Sequence, residues 1–155
     1  MAVYTEISDD ELTAFVAAYD IGHPVSLKGI AEGVENSNYL LQTDRDNYIL
    51  TIYEKRVSAR DLPFFLGLMD HLAGQGFPCP TPIHGRDGAA LRQVAGKPAA
   101  IVSFLEGISV RRPTTEHCAP LGTALAAMHL TGADFSTYRA NALSVADWRP
   151  LYDRT

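Results

Sequence analysis

Cysteine is scarce in this sequence, which excludes two common ways of stabilising a small domain. Cys79 and Cys118 are the only two cysteines in 155 residues, and they form no Cys-x-x-Cys pair. A disulfide framework or a structural zinc site is therefore not predicted. The chain also lacks a run of roughly 18 apolar residues that could span a membrane, and a basic start followed by an apolar stretch. These absences predict a cytoplasmic protein.

Positive charge is also in short supply. The sequence has 13 Lys and Arg residues against 18 Asp and Glu residues, a formal net charge of −5. This balance argues against nucleic acid or an anionic membrane as a partner. The bases are concentrated in residues 55–112, which could meet an anionic ligand or simply form a solvated helix face.

Two common nucleotide-binding motifs are missing as well. No glycine-rich loop ends in Gly-Lys-Ser or Gly-Lys-Thr, so the chain is not a Walker-type NTPase. No glycine loop opens a helix directly after a strand, as a dinucleotide-binding fold requires. A nucleotide site in this chain must therefore be of another kind.

What is present is the composition of a packed domain, with 46% hydrophobic and 20% charged residues. Ser8 to Glu11 fits a capping box, and the apolar spacing after it predicts a helix through Tyr19 with Gly22 as its stop. The pattern then predicts strands at 25–30, 39–43 and 48–53, a helix from near Ser58 or Asp61 to Gly74, and strands at 89–94 and 99–104 joined by a turn at 95–98. We therefore expect an α+β domain whose five-stranded antiparallel sheet has one helix inserted after its third strand.

The second half of the chain predicts helix rather than strand. A long helix is expected over 115–130, with Leu121, Leu125 and Met128 facing inward. Residues 133–155 show only weak periodicity. We expect three parts: a domain at 1–105, a linker at 106–113, and the beginning of a helical unit at 114–155.

The segment most informative about function is 29–39, which joins the first two predicted strands and contains Gly29 and Gly33. Glycine has no Cβ, so backbone amides in such a loop can approach phosphate oxygens closely. An ordinary hairpin loop is the alternative. The acidic Glu32 and Glu35 suit a phosphate site only if they face away or help to hold a cation.

Six strings of sequence are together more specific than any single motif. They are EGVENSNY at 32–39, ILTIYEKR at 49–56, LPFFLGLM at 62–69, CPTP at 79–82, AAIVSFLEG at 99–107 and LAAMH at 125–129. They resemble the aminoglycoside phosphotransferase-like family of protein-kinase-like folds, and its homoserine kinase branch most of all, over nearly the whole chain. The resemblance implies a small lobe, a hinge and the start of a truncated helical large lobe. It also implies ATP-dependent phosphorylation of the homoserine hydroxyl, a step toward threonine.

Matching the family's motifs onto this chain implies a site for ATP. The nucleotide loop falls on 33–38, with backbone amides and the Asn36 or Ser37 side chain near the phosphates, and the hinge to adenine falls on 103–106. Ile30, Leu41 and Leu50 are candidates to sandwich the base, a plain core role being the alternative. The implied nucleotide-binding residues are Gly33, Val34, Asn36, Ser37, Asn38, Thr51, Lys55, Ser103, Phe104, Leu105 and Glu106.

One departure from the family lies on the third strand. Thr51 stands where many relatives carry the Lys or Arg that pairs with ATP phosphates. Strand alternation puts Thr51, Tyr53 and Lys55 on one face, so Lys55, or Arg56 as second choice, could supply the cation unless this pair is simply solvated. The partner acid on the next helix is unclear, because Asp61 could equally cap that helix.

A second departure is the absence of the residues for phosphoryl transfer. The family supplies them, and the magnesium ligands, from a His-Gly-Asp loop with a downstream Asn and a further Asp, so no catalytic or metal residue is expected in this segment. The string 84–88, His-Gly-Arg-Asp-Gly, looks superficially similar but is expected to be a tight turn. We expect the segment alone to be inactive and the helix at 115–130 to expose apolar surface.

Two alternative functions stay open at this point. The acceptor could be another hydroxylated metabolite such as choline or ethanolamine, because acceptor contacts are expected outside this segment. The chain could also be a non-catalytic binding module, which the missing cation at Thr51 favours.

Overall fold

The structure is a computed structural model that describes residues 3–33, 35–54, 58–141 and 144–153. Five strands form one antiparallel sheet in the order β1-β2-β3-β5-β4. They are β1 (Pro24–Gly29), β2 (Ser37–Thr43), β3 (Asn47–Ile52), β4 (Leu91–Val94) and β5 (Lys97–Ser103). The helices are α1 (Asp9–Val16), α2 (Leu62–Gly74), α3 (Thr115–Thr131) and α4 (Val145–Tyr152). The predicted α+β class, the antiparallel sheet and the helix after its third strand are confirmed.

The start of α1 follows the predicted capping box. The Ser8 hydroxyl accepts from the Glu11 amide at 3.3 Å, and the Glu11 carboxylate accepts from the Ser8 amide at 3.0 Å. The backbone hydrogen bond to Ser8, aided by its hydroxyl, lowers the pKa of Glu11. The helix ends at Val16 rather than near Tyr19. Gly22 (φ +88°) therefore serves the turn into β1 and not the end of the helix.

The hydrophobic core lies between α1 and one face of the sheet. Alternate residues of the strands point toward α1 because side chains of a strand alternate between its two faces. The α1 side contributes Leu12, Phe15, Val16 and Tyr19, and the sheet contributes Tyr39, Leu41, Leu50, Ile52, Val94, Ala99 and Ile101. Burying these side chains fixes which face of every strand remains for a ligand.

The turn between β4 and β5 is shorter than the sequence predicts. Ala95 (φ 50°) and Gly96 (φ 71°) form a two-residue turn, and Lys97 and Pro98 already belong to β5. Positive φ at both central residues matches the twist of antiparallel strands. The predicted four-residue turn at 95–98 is therefore wrong by two residues.

Helix α2 is attached to the chain that follows α3. The ring of Phe135 lies 5.6 Å from the ring of Phe64 and 5.4 Å from that of His71, centroid to centroid. The Asp61 carboxylate, just before α2, binds Arg139 Nε at 2.8 Å. Asp61 occupies the N-cap position, but its side chain makes no capping hydrogen bond, so the alternative of a capping role is not realised.

The two C-terminal helices expose their apolar side chains. Leu121 is 61% and Leu125 45% exposed, and no described residue of α3 is buried. The prediction that these leucines face inward is therefore wrong for the described part of the chain, while the expected exposed apolar surface on this helix is present. Helix α4 was not predicted, although Ser144 and Asp147 form a cap at its start, with Ser144 Oγ donating to Asp147 at 2.6 Å. Within the described ranges, no helix combines the length and apolar character needed to cross a membrane.

Candidate functional site

The face of the sheet opposite α1, which we call the second face, carries a half-buried apolar row. Leu40 pairs with Ile49 and Ile49 with Val102, so the three side chains lie side by side across β2, β3 and β5. Leu41 and Leu50 were predicted to sandwich the base. They are fully buried in the α1 core instead, because the register turns them to the other face.

The glycine loop between β1 and β2 borders one end of this face. The Ile30 amide donates to the Asn38 carbonyl at 2.8 Å and closes the base of the loop. Gly33 has φ +106°, a left-handed conformation that favours glycine. The Asn36 side chain accepts from the Glu54 amide at 3.4 Å. Val34, also predicted for this site, lies outside the described residues.

Ser37, at the start of β2, does not offer its side chain to a ligand. It is fully buried, and its hydroxyl accepts from the amides of Tyr4 at 2.8 Å and Thr5 at 3.1 Å. The same hydroxyl donates to Glu54 at 2.8 Å. One donor and two acceptor sites are all that a hydroxyl has. The Ser37 hydroxyl therefore has no hydrogen-bonding capacity left for a phosphate, contrary to the prediction. Only the main chain of Ser37 remains a candidate for phosphate binding.

Ser37 belongs to a polar cluster that sequence reasoning missed. We call Thr5, Ser37, Glu54 and Lys97 the Glu54 cluster. Thr5 Oγ1 donates to the Glu54 carboxylate at 2.6 Å, and Lys97 Nζ forms an ion pair with it and donates to Thr5 Oγ1 at 2.6 Å. Burial acts to raise the pKa of Glu54, but hydrogen bonds from Lys97, Thr5 and Ser37 together outweigh it and lower the pKa. These residues lie 17 to 92 positions apart in the sequence, so no local motif could have signalled the cluster.

Thr51 lies on the second face, directly opposite Asn38 in the pairing of β2 and β3. Its hydroxyl donates to the Asn38 side-chain oxygen at 2.9 Å. The candidate cations Lys55 and Arg56 lie outside the described residues. The acids near α2 have other partners, because Asp61 binds Arg139 and Asp70 binds His84.

The predicted hinge follows the end of β5 at the opposite end of the second face. The amide and hydroxyl of Ser103 already have hydrogen-bond partners. The amide donates to the Thr81 carbonyl and the hydroxyl accepts from the Thr81 amide, both at 2.9 Å. Phe104 and Leu105 are 40% and 51% exposed, and Glu106 is exposed too. Among the described residues, no backbone–backbone hydrogen bond involves 104–106. The main-chain groups of this stretch are therefore available to a ligand.

The hinge and the glycine loop are spaced suitably for one elongated ligand. In β3, Tyr48 pairs with Ser103 beside the hinge, and Ile52 pairs with Ser37 beside the loop. Four steps along a strand at roughly 3.3 Å each separate these ends by about 13 Å. This is the length scale of an extended nucleoside triphosphate.

The histidine-containing string at 84–88 is the turn that was predicted. The Gly88 amide donates to the Gly85 carbonyl at 2.8 Å, and the His84 ring contacts the Gly88 carbonyl at 2.8 Å and Asp70 at 3.0 Å. No group of three His, Cys, Asp or Glu side chains that could hold a metal occurs in the described part of the chain.

An antiparallel five-stranded sheet, a glycine loop between its first strands and a helix after its third define the small lobe of a protein-kinase-like fold. Residues 26–155 match the family described as the phosphotransferase enzyme family, APH. The chain belongs to this phosphotransferase family.

Individual relatives carry a more specific name. The chain is 71% identical over 153 residues to a homoserine kinase of Paramagnetospirillum magneticum, covering 99% of this chain and 47% of the relative. It is 63% identical over 152 residues to a homoserine kinase of Xanthobacter autotrophicus, covering 98% of this chain and 47% of the relative. The chain thus spans about half the length of the curated relatives that it matches.

Among solved structures, the chain resembles a spectinomycin phosphotransferase crystallised with ADP and spectinomycin. The TM-score is 0.70 at 15% identity, covering 97% of this chain and 46% of the other. At this identity the likeness shows the fold alone.

Proposed function

We propose that this chain is the nucleotide-binding part of a homoserine kinase, which transfers the γ-phosphoryl group of ATP to the side-chain hydroxyl of L-homoserine. The observation that carries the proposal is identity of 60% or more, over nearly the whole chain, to several proteins named homoserine kinase. The product would be O-phosphohomoserine, a precursor of threonine. A cytoplasmic location goes with this proposal.

The geometry of the second face supports ATP as the donor. An adenine ring would lie against the apolar row of Leu40, Ile49 and Val102, with its edge hydrogen-bonded to main-chain atoms of 104–106. The triphosphate would reach toward the backbone amides of the glycine loop at 33–38. Lys55 remains the proposed cation for the phosphates.

The chemistry proposed is a direct in-line transfer. The homoserine hydroxyl oxygen bonds to the γ-phosphorus, the bond to the ADP oxygen breaks, and the hydroxyl proton passes to a base. Magnesium would neutralise the phosphates, and we propose that its ligands and the base come from the part of the enzyme outside this segment. The described residues hold and orient the nucleotide, which is where positioning contributes to the rate.

The test is a coupled assay of ADP formation by the product of the complete reading frame, with homoserine, choline, ethanolamine or spectinomycin as acceptor. We expect homoserine to exceed the others in kcat/KM by about a hundredfold or more, because a site that pairs polar groups of its substrate rejects analogues lacking them. Residues 1–155 run in parallel should show no turnover. ATP consumption that does not depend on homoserine would overturn the proposed acceptor.

A further inference from the structure

Asn38 and Thr51 form a side-chain pair on the second face at the mouth of the glycine loop. They lie directly opposite each other in the β2–β3 ladder, and both are half-buried. The Thr51 hydroxyl donates to Asn38 Oδ1 at 2.9 Å. The Asn38 carbonyl also accepts from the Ile30 amide at 2.8 Å, so both the main chain and the side chain of Asn38 are anchored.

This pairing fixes the direction in which Asn38 can donate. A side-chain amide has an acceptor oxygen and a donor nitrogen, and engaging the oxygen turns Nδ2 away from Thr51. Nδ2 lies beside Gly33, 3.7 Å from where a Cβ on that glycine would stand. Within the described residues, the side-chain hydrogen bond of Asn38 is the one that its oxygen accepts from Thr51. A half-buried donor therefore points at the loop in which the phosphates are proposed to bind.

The surrounding charges favour a neutral donor at this place. A cation on the strand would normally be paired with an acid of the following helix. The acids of α2 and its N-cap are already committed, since Asp61 is bound to Arg139 at 2.8 Å and Asp70 to His84 at 3.0 Å. An amide needs no such counter-charge.

We propose that Thr51 is a positioning residue that orients the Asn38 side-chain amide to donate a hydrogen bond to a phosphate oxygen of the nucleotide. It does so where a charged side chain on β3 would otherwise act. The inference rests on the proposed function, because it requires nucleotide phosphate in the glycine loop.

The test compares binding of ATP and of adenosine, which has no phosphate, by calorimetry. Thr51→Val keeps the shape of the side chain and removes the hydroxyl, so we expect it to weaken ATP binding by about threefold to tenfold, the range for one lost neutral hydrogen bond. Adenosine binding should not change. Thr51→Ser keeps the hydroxyl and should bind ATP as the unmodified chain does.

Two controls separate positioning from general damage. Ser26→Ala removes a similar hydroxyl-to-amide bond between strands, from Ser26 to Gln42 at 3.2 Å, and should leave ATP binding unchanged. Asn38→Ala should weaken ATP binding by itself, and adding Thr51→Val to it should cost nothing more, because the two residues act through one contact. The side-chain amide NMR signals of Asn38 should also shift with ATP and not with adenosine.

The outcomes distinguish the two proposals. An unmodified chain that binds neither ATP nor adenosine overturns the proposed function, and this inference with it. A chain that binds both, and whose Thr51→Val variant binds ATP equally well, overturns the role of Thr51 alone. Equal weakening of ATP and adenosine binding by Thr51→Val would also overturn it, since that result indicates a distorted sheet.

Discussion

The carboxylate of Glu54 ties the N-terminal segment of the chain to the end of β3. Its side chain is only 11% exposed and receives hydrogen bonds from Thr5, Ser37 and Lys97. The Glu54 amide also binds the Asn36 side chain, so the same residue holds the end of the glycine loop from the main-chain side. A buried carboxylate is tolerated here because a cation and two hydroxyls compensate for its lost hydration.

Replacing this carboxylate by an amide should destabilise the fold. Glu54→Gln removes the partner charge of Lys97 and puts an amide NH2 group where Lys97 Nζ donates, while both hydroxyls keep their common acceptor oxygen. We therefore expect a loss of about 1.5–3 kcal/mol in the free energy of unfolding at pH 7. Urea denaturation followed by circular dichroism measures it. Asp20→Asn, which breaks the exposed Asp20–Arg45 pair, is the matched control and should cost about 0.5 kcal/mol or less.

The free energies of unfolding of the unmodified chain and of Glu54→Gln should approach each other at low pH. The folded-state pKa of Glu54 lies below its ordinary value of 4.5, so the unfolded chain binds the proton more tightly. Stability from this group is present above that value and is lost as the pH falls through the folded-state pKa. The gap in unfolding free energy between the unmodified chain and Glu54→Gln should therefore be full at pH 7 and shrink below pH 4.5. A gap that is constant over this range would contradict the role of the charge.

At the scale of whole elements, α2 is held by contacts that its sequence does not reveal. His84, in the turn before β4, touches the Gly88 carbonyl with one ring nitrogen and the Asp70 carboxylate of α2 with the other. Both neighbours accept hydrogen bonds, and only the protonated ring can donate from both nitrogens. The hydrogen bond to Gly88, followed by the one to Asp70, raises the pKa of His84.

The contacts of His84 with the Gly88 carbonyl and the Asp70 carboxylate should weaken at high pH. The folded-state pKa of His84 is above the ordinary value of 6.5, so its contribution is complete below that value and is lost as the pH rises through the folded-state pKa. His84→Gln should therefore cost more stability at pH 5.5 than at pH 8.5, by a few tenths to about 1 kcal/mol because the ring is partly exposed. Thermal melts at both pH values measure the difference. Asp70→Asn should reduce the pH dependence of the stability. An unchanged pH dependence would argue against a stabilising His84–Asp70 contact.

Phe135, in the segment after α3, packs against α2. Its ring packs on Phe64 and His71 and lies beside Gly67, where a Cβ would stand 3.6 Å from the ring, an ordinary van der Waals distance. Phe135→Ala should cost about 1–3 kcal/mol, less than the usual loss for a fully buried phenylalanine. Hydrogen exchange should show faster opening of the α2 amides, whereas Tyr138→Ala, at an 86% exposed position, should leave them unchanged. Equal exchange in both variants would mean that α2 is held from the sheet side alone.

The strands, helices α1 to α3 and their order were predictable because each has a strong local signal, whereas the short α4 was not predicted. The capping box at Ser8 and the turn residues between strands are examples. The face of each strand was harder to predict, because Leu40 and Leu41 are both leucines and Ile49 and Leu50 are both apolar. Alternation alone could not say which of each pair meets α1, and Leu41 and Leu50, which were predicted to contact the base, lie in the core instead. The Glu54 cluster and the Phe135 contacts arise from tertiary packing, which no local pattern encodes.

At the scale of the whole molecule, the exposed C-terminal helices stand out. Leu121, Leu125 and Leu130 of α3 are 61%, 45% and 78% exposed, and Trp148 of α4 is 62% exposed. A typical soluble domain does not leave several large apolar side chains of neighbouring helices in water. The chain spans about half the length of its relatives, so these helices are where further packing is expected.

Residues 1–155 alone should therefore self-associate through α3 and α4. Sedimentation velocity should show a weight-average mass above 16.9 kDa that rises with concentration, because burying exposed apolar surface is favourable at about 25 cal/mol per Å². The double variant Leu121→Gln and Leu125→Gln should lower this association. It should leave the melting temperature of the small lobe unchanged, since neither leucine belongs to the α1 core. A sharp monomer at all concentrations, with one cooperative melt, would show that α3 and α4 need no further partner, and their exposed leucines would then require another explanation.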